Sequence, residues 1–282
     1  MAVLMTTTSS GDRFERLVDV MRVLRSPEGC PWDREQTVHT LAPFVLEETY
    51  EVIDAIERGD FGALKEEVGD LIFEGVFLAQ VAADEGAFTV AESLECVVDK
   101  LIRRHPHVFK DDGQLHDAES KARAPSARAA LERWESLKAQ ERTESGQTHS
   151  TLSGLPSSLP ALLRAFKIGK RAAAVGFDWQ RAQDVVAKVE EEVAELREAA
   201  ERSPKDRSRL EEEMGDLLFA LANLARKLGI EPEAALRRAN DKFTKRFNDM
   251  ERRFAERGRR LDQSTLEEME AEWQQIKDSN EQ

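Results

Sequence analysis

Apolar residues recur along this chain at intervals of three and four, and strict alternation is scarce. That period belongs to helices, so the chain reads as all-α. A first amphipathic helix is expected over 12–25, with Phe14, Leu17, Met21 and Leu24 on one side. The turn Ser26-Pro27-Glu28-Gly29-Cys30-Pro31 stops it. A second helix is expected over 41–58, with Thr40 as N-cap, Pro43 in the first turn and Gly59 at the end. A third covers 61–84 and ends at Gly86. A fourth opens with a capping box, Thr89 and Glu92, and runs to His105-Pro106. A polar loop and a helix over 126–142 follow. The stretch 143–158, rich in Ser, Thr and Gly, reads as a linker. Beyond it, helices are expected over 159–174, along the acidic stretch 188–229 with a break at Ser203-Pro204, and from Pro232 to 257. A capping box of Ser264 and Glu267 precedes a final helix.

The two halves repeat one another. Glu48 and Glu51 answer Glu192 and Glu195, three residues apart in both cases. Glu67 and Asp70 answer Glu213 and Asp216, and an apolar run follows each pair. Lys100 and Arg104 answer Lys242 and Arg246. Trp134 and Lys138 answer Trp273 and Lys277. Duplication of one helical unit is the economical account. The expected organisation is two tandem helical-bundle domains, 1–142 and 159–282, joined by the linker.

The acidic stretch carries the candidate chemistry. Positions i and i+3 share a helical face. Two helices folded back on each other bring Glu192, Glu195, Glu213 and Asp216 to one point. Oxygen ligands with no His or Cys among them suit Mg²⁺, or Mn²⁺, better than zinc. An acid pair of this spacing is usually a solvated face, and the chain has 55 acidic residues. Here, however, Glu213 and Asp216 run into Leu217-Leu218-Phe219-Ala220-Leu221-Ala222, an apolar segment expected to be buried. Carboxylates at the rim of a core need a cation.

The halves differ in their flanking cations. Lys188 stands four residues before Glu192 and Arg209 four before Glu213. The first-half counterparts are Phe44 and Ala63. With Lys242 and Arg246, the second half offers four cations around its acids and reads as the better site for a polyanion, although each is also a plain i, i+4 helix partner. Metal would grip phosphate oxygens, Lys and Arg would neutralise the remaining charge, and a Glu would take a proton from the attacking water. The expected reaction is hydrolysis of a phosphoanhydride. No Gly-rich phosphate loop is present. Trp273 is either a base-stacking surface or a core residue.

The formal net charge of −14 argues against a nucleic-acid binder. No apolar run is long enough to span a membrane. The start of the chain lacks the apolar core of a signal peptide, and two cysteines, Cys30 and Cys96, make no disulfide framework. A cytoplasmic protein is expected.

With these residues in hand, the sequence resembles the MazG family of nucleoside triphosphate pyrophosphohydrolases. The resemblance rests on Gly29-Cys30-Pro31-Trp32-Asp33, on Leu46 to Glu51 and on Arg103 to Phe109 in the first half. In the second it rests on Val175-Gly176-Phe177-Asp178-Trp179, on Leu210 to Asp216, on Ala239 to Phe243 and on the stretch beginning at Trp273. It implies an all-α fold in each half, a homodimer, and cleavage between the α and β phosphates. It implies metal ligands at Glu192, Glu195, Glu213 and Asp216. It implies nucleotide contacts at Lys188, Glu191, Arg209, Glu212, Lys242, Arg246 and Trp273. It also implies a second half that carries the activity and a first half, with Glu48, Glu51, Glu67 and Asp70, that is structural or weakly active. Arg209 replaces the lysine expected there. Two other readings compete. A di-iron carboxylate bundle would want Glu-x-x-His pairs, which are missing here. A non-enzymatic nucleotide sensor or protein scaffold would bind nucleotide without turnover.

Overall fold

The computed structural model describes residues 9–110, 112–116, 150–202 and 205–280, with part of 126–137. The chain divides into two compact units, Met1–Glu141 and Arg142–Gln282. The described residues form helices and no strand beyond an isolated bridge between Phe109 and Leu115. The helix expected over 126–142, the first part of the linker and the Ser203-Pro204 break lie largely outside the described residues.

In the first unit, α1 (Ser10–Leu24) starts at a capping box between Ser9 and Asp12. Its apolar stripe packs Met21 into a core with Leu41, Val76, Phe77 and Val81, flanked by Phe14, Leu17, Leu24 and Phe44. A short helix α2 (Pro31–Glu35), not foreseen from the sequence, follows the turn. That turn demands glycine at 29, where a Cβ would lie 2.2 Å from the Leu24 carbonyl oxygen. Arg25 ties the turn down, donating to Asp84 Oδ2 and to the Asp33 carbonyl, each at 2.5 Å. The next helices, α3 (Val38–Arg58) and α4 (Phe61–Asp84), fold back on each other through Gly59, whose φ is 67°. Helix α5 (Val90–Arg104) opens on the expected Thr89–Glu92 box.

The second unit has α6 (Ala161–Ala174), α7 (Ala182–Arg202), α8 (Arg207–Lys227), α9 (Pro232–Glu256), a 3₁₀ turn (Leu261–Gln263) and α10 (Leu266–Asn280). Gly169 allows α6 to touch α8, because a Cβ there would fall 2.1 Å from Asn223 Oδ1. Asn223 is fully buried and bonds the Phe219 carbonyl and Arg226. Helices α9 and α10 close on Met250, Phe254 and Ile276. Buried Glu272 is held between Arg253 and Arg257, which lower its pKa.

Several local expectations are corrected. Thr37, not Thr40, caps α3, and Thr40 is the reciprocal partner at the third position. The helix therefore starts earlier, and Pro43 lies inside it, beyond the first turn. The last capping box joins Thr265 to Glu268 rather than Ser264 to Glu267. Ser264 Oγ instead donates to the Arg260 carbonyl. The apolar segment of α8 is only half covered. Ala220 and Ala222 are buried, but Leu218 and Leu221 are 46% and 41% exposed. Helices α6 and α7 cover one side of α8 within its unit and leave the other open.

Candidate active site

The second unit brings three of the expected acids together. Glu192 and Glu195 lie one turn apart on α7, and Glu213 comes from the facing α8. One carboxylate oxygen from each lies within 4.8 Å of the other two. Glu192 is 4% exposed. Its Oε1 meets Lys188 Nζ at 2.7 Å, while its Oε2 is buried without a partner. Such an oxygen costs free energy unless something completes it. Desolvation, then the charges of Glu192 and Glu213, push the Glu195 carboxyl up, and Lys188 pulls it the other way. An all-oxygen set with an orphaned buried atom fits a hard divalent cation.

Asp216, the fourth expected ligand, is exposed and outside this set, on the same α8 face three residues after Glu213. Lys188 bonds Glu191 at 2.9 Å as well as Glu192, and these bonds raise its pKa. Arg209 reaches Glu213 at 3.6 Å. Both cations therefore act as helix partners of the acids they flank. Glu212 is exposed. Lys242 is exposed and Arg246 half-buried on α9, and neither has an ion pair with a described residue. Trp273 has a packing role. It is half-buried, its ring centroid lies 5.0 Å from that of Phe243, and it packs against the core of α9 and α10.

The Val175 to Trp179 motif serves as an anchor. Asp178 accepts from Arg226 at 2.5 Å and from Lys227 at 2.7 Å, both near the end of α8. These bonds depress its pKa to about 2. The motif thus pins the loop before α7 to α8, the two helices that carry the acids.

The first unit holds a parallel cluster of Glu48 on α3 with Glu67 and Asp70 on α4, again within 4.8 Å. Desolvation, then the neighbouring charge of Glu51, push the Glu67 carboxyl up. Reading the repeat alone missed Glu74, which is 6% exposed and also has an unpartnered buried oxygen. Its signal was available, since it lies four residues after Asp70 on the same face.

The comparisons with known proteins agree with this duplicated arrangement. The family model described as the MazG nucleotide pyrophosphohydrolase domain matches twice, over 36–109 and 180–250. The chain belongs to the MazG family. Each match spans one of the two carboxylate clusters. A relative from Escherichia coli strain K12, named nucleoside triphosphate pyrophosphohydrolase, is 50% identical over 267 residues, covering 94% of this chain and 97% of its own. A Thermotoga maritima relative, named nucleoside triphosphate pyrophosphohydrolase/pyrophosphatase MazG, is 42% identical over 272 residues, covering 96% and 98%. A relative from Mycobacterium tuberculosis, named nucleoside triphosphate pyrophosphohydrolase, is 32% identical over 181 residues, covering 63% and 51%. No described helix is long and apolar enough to cross a membrane.

Proposed function

We propose that this chain hydrolyses nucleoside triphosphates between the α and β phosphates, releasing nucleoside monophosphate and pyrophosphate, with the second half carrying the reaction. Membership of the MazG family and the names of its full-length relatives support the reaction class. The observation that carries the assignment to the second half is the buried Glu192, with one oxygen on Lys188 and the other bare, beside Glu195 and Glu213.

Glu192, Glu195 and Glu213 would hold Mg²⁺ or Mn²⁺, with Asp216 as the fourth carboxylate. The ion would draw charge from the phosphate oxygens and make phosphorus easier to attack. The residues do the rest. Lys188 and Arg209 sit one turn before the acids and supply positive charge to a polyphosphate that carboxylates alone would repel. Lys242 and Arg246, without ion pairs to described residues, are available to the same ligand. Glu195, the more exposed acid of the α7 pair, is the proton acceptor for the attacking water. Most of the rate gain is then positioning and charge stabilisation.

The open face of α8 supports a homodimer. Met214, Leu218 and Leu221 form an i, i+4, i+7 stripe beside Glu213, each exposed in the single chain. A second copy is the occupant that the MazG resemblance implies.

The test is product identification with each nucleoside triphosphate and Mg²⁺. Monophosphate with pyrophosphate is expected. Diphosphate with phosphate would overturn the bond choice. Nucleotide binding without turnover would favour a sensor.

A further inference from the structure

We propose that the turn after α5, in the first unit, forms a binding site for a small zwitterion with an apolar body, as an aliphatic α-amino acid provides. The site draws on the stretch Arg103 to Phe109, to which the hydrolase reading gives no role. It stands whether or not that reading holds.

Helix α5 ends at Arg104, whereas its counterpart α9 runs on past Arg246 to Glu256. The difference is His105-Pro106. Proline keeps the residue before it out of helical geometry, and His105 has φ −119° and ψ 54°. The His105 ring meets the Leu101 carbonyl at 2.6 Å and closes the helix end. The chain then turns back. The Lys110 amide donates to the Gln114 carbonyl at 2.8 Å, the Gly113 amide to the Lys110 carbonyl at 2.9 Å, and the His116 amide to the Val108 carbonyl at 3.1 Å. The His116 ring meets the Pro106 carbonyl at 3.0 Å. Gly113, with φ 79°, brings the turn against α5, where a Cβ would lie 3.4 Å from Ile102 Cδ1. The turn is tied to itself and to the helix end. In the second unit α9 is still helical at the matching place, so the turn has no copy there.

Between α5 and this turn lies an open cavity of about 460 Å³, within the range of small-molecule sites, roughly 300–1,000 Å³. Half-buried Ile102, Pro106 and Phe109 give it an apolar lining. Charges of both signs share it: Asp99 and Asp112, with Arg103 and Lys110. Among the described residues, Asp99, Asp112 and Lys110 make no ion pair, either with one another or with other side chains. Opposite charges that line one cavity without meeting are bridged by a ligand that carries both. Its ammonium would sit on Asp99 and Asp112, its carboxylate on Lys110 beside Arg103, and its aliphatic body on the apolar lining. An α-amino acid carries both charges at neutral pH. A phosphate is disfavoured. Two carboxylates line the cavity, and it lies at the carbonyl end of α5, which bears partial negative charge.

The test titrates the full chain with L-leucine by calorimetry at neutral pH, without nucleotide. Saturable binding is expected. 3-Methylbutylamine and 4-methylpentanoate, which keep the apolar body and one charge each, should bind about tenfold more weakly. Asp99→Asn and Lys110→Met should each weaken L-leucine binding by about tenfold as well. Both side chains are exposed, so the melting temperature should not change. Failure of L-leucine, L-valine and L-phenylalanine alike to bind would overturn the site. Leucine binding that neither substitution weakens would overturn it too, because the ligand would then sit elsewhere. An amine or acid that binds as tightly as leucine would overturn the reading of both charges. Displacement of leucine by inorganic phosphate would overturn the zwitterion and make the cavity an anion site.

Discussion

Glu192→Gln should stabilise the metal-free protein while damaging its function. The carboxylate is 4% exposed, and one of its oxygens has no partner. Leaving such a group unsatisfied costs about 1–3 kcal/mol. Glutamine fills the same volume and presents amide hydrogens to Glu195 and Glu213 in place of a third negative charge. The substitution gives up one ion pair, but Lys188 is partly solvated and keeps Glu191 at 2.9 Å. The net expectation is a gain of about 1–2 kcal/mol, or roughly 3–8 °C in the melting temperature of a unit this size. Saturating Mg²⁺ or Mn²⁺ reverses the order. A ligand at one hundred times its dissociation constant adds about 2.7 kcal/mol to the wild type, and the variant, short of a ligand, gains less. The assay is thermal melting followed by circular dichroism, in chelator and in excess cation. A variant that melts several degrees lower in chelator, with the same response to cation, would refute the reasoning. Glu192 would then be a structural ion-pair residue.

The remaining predictions concern the anchor, the open face and the close helix contact. Asp178→Asn should cost about 2–4 kcal/mol, since it leaves Arg226 and Lys227, 11% and 16% exposed, without their carboxylate; chemical denaturation measures it. Because Asp178 is depressed to about 2 from 3.8, its contribution is present above pH 3.8 and is lost as pH falls toward 2. The variant should therefore lose less stability than the wild type across that window. Leu218→Asp should shift the protein from dimer to monomer in light scattering, and an unchanged mass would remove the α8 stripe from the interface. Gly169→Ala should destabilise by about 1–3 kcal/mol, because Asn223 Oδ1 occupies the space of the added methyl; an unshifted denaturation midpoint would show that α6 and α8 yield there.

Much of the local architecture was legible because capping chemistry is written in short-range sequence. Thr89 with Glu92, and glycine at 59, 86, 229 and 258 with positive φ, mark real helix ends. The shifts at Thr37 and Thr265 arise where two hydroxyl residues near a helix start compete for one role. The repeat gave away both carboxylate clusters, since i, i+3 spacing survives whatever the helices pack against. What covers a helix was not legible. The segment after Asp216 is as apolar as a buried helix, yet inside the unit only its alanines are fully buried, while Leu218, Phe219 and Leu221 stay exposed. Hydropathy cannot say whether the missing cover is the same chain or another. Glu74 was overlooked for a related reason. Its place four residues after Asp70 puts it on the face of the other acids, but its counterpart in the second half is Ala220, so the repeat did not mark it, and its burial is seen only in the structure.

The central claim is that turnover belongs to the second cluster. The most direct test is to compare the wild type, Glu195→Ala and Glu51→Ala in one Mg²⁺ assay, separating nucleotides from phosphates. Monophosphate and pyrophosphate from the wild type and from Glu51→Ala, with none from Glu195→Ala, is the predicted result. Equal loss in the two variants, or loss in Glu51→Ala alone, would contradict the account.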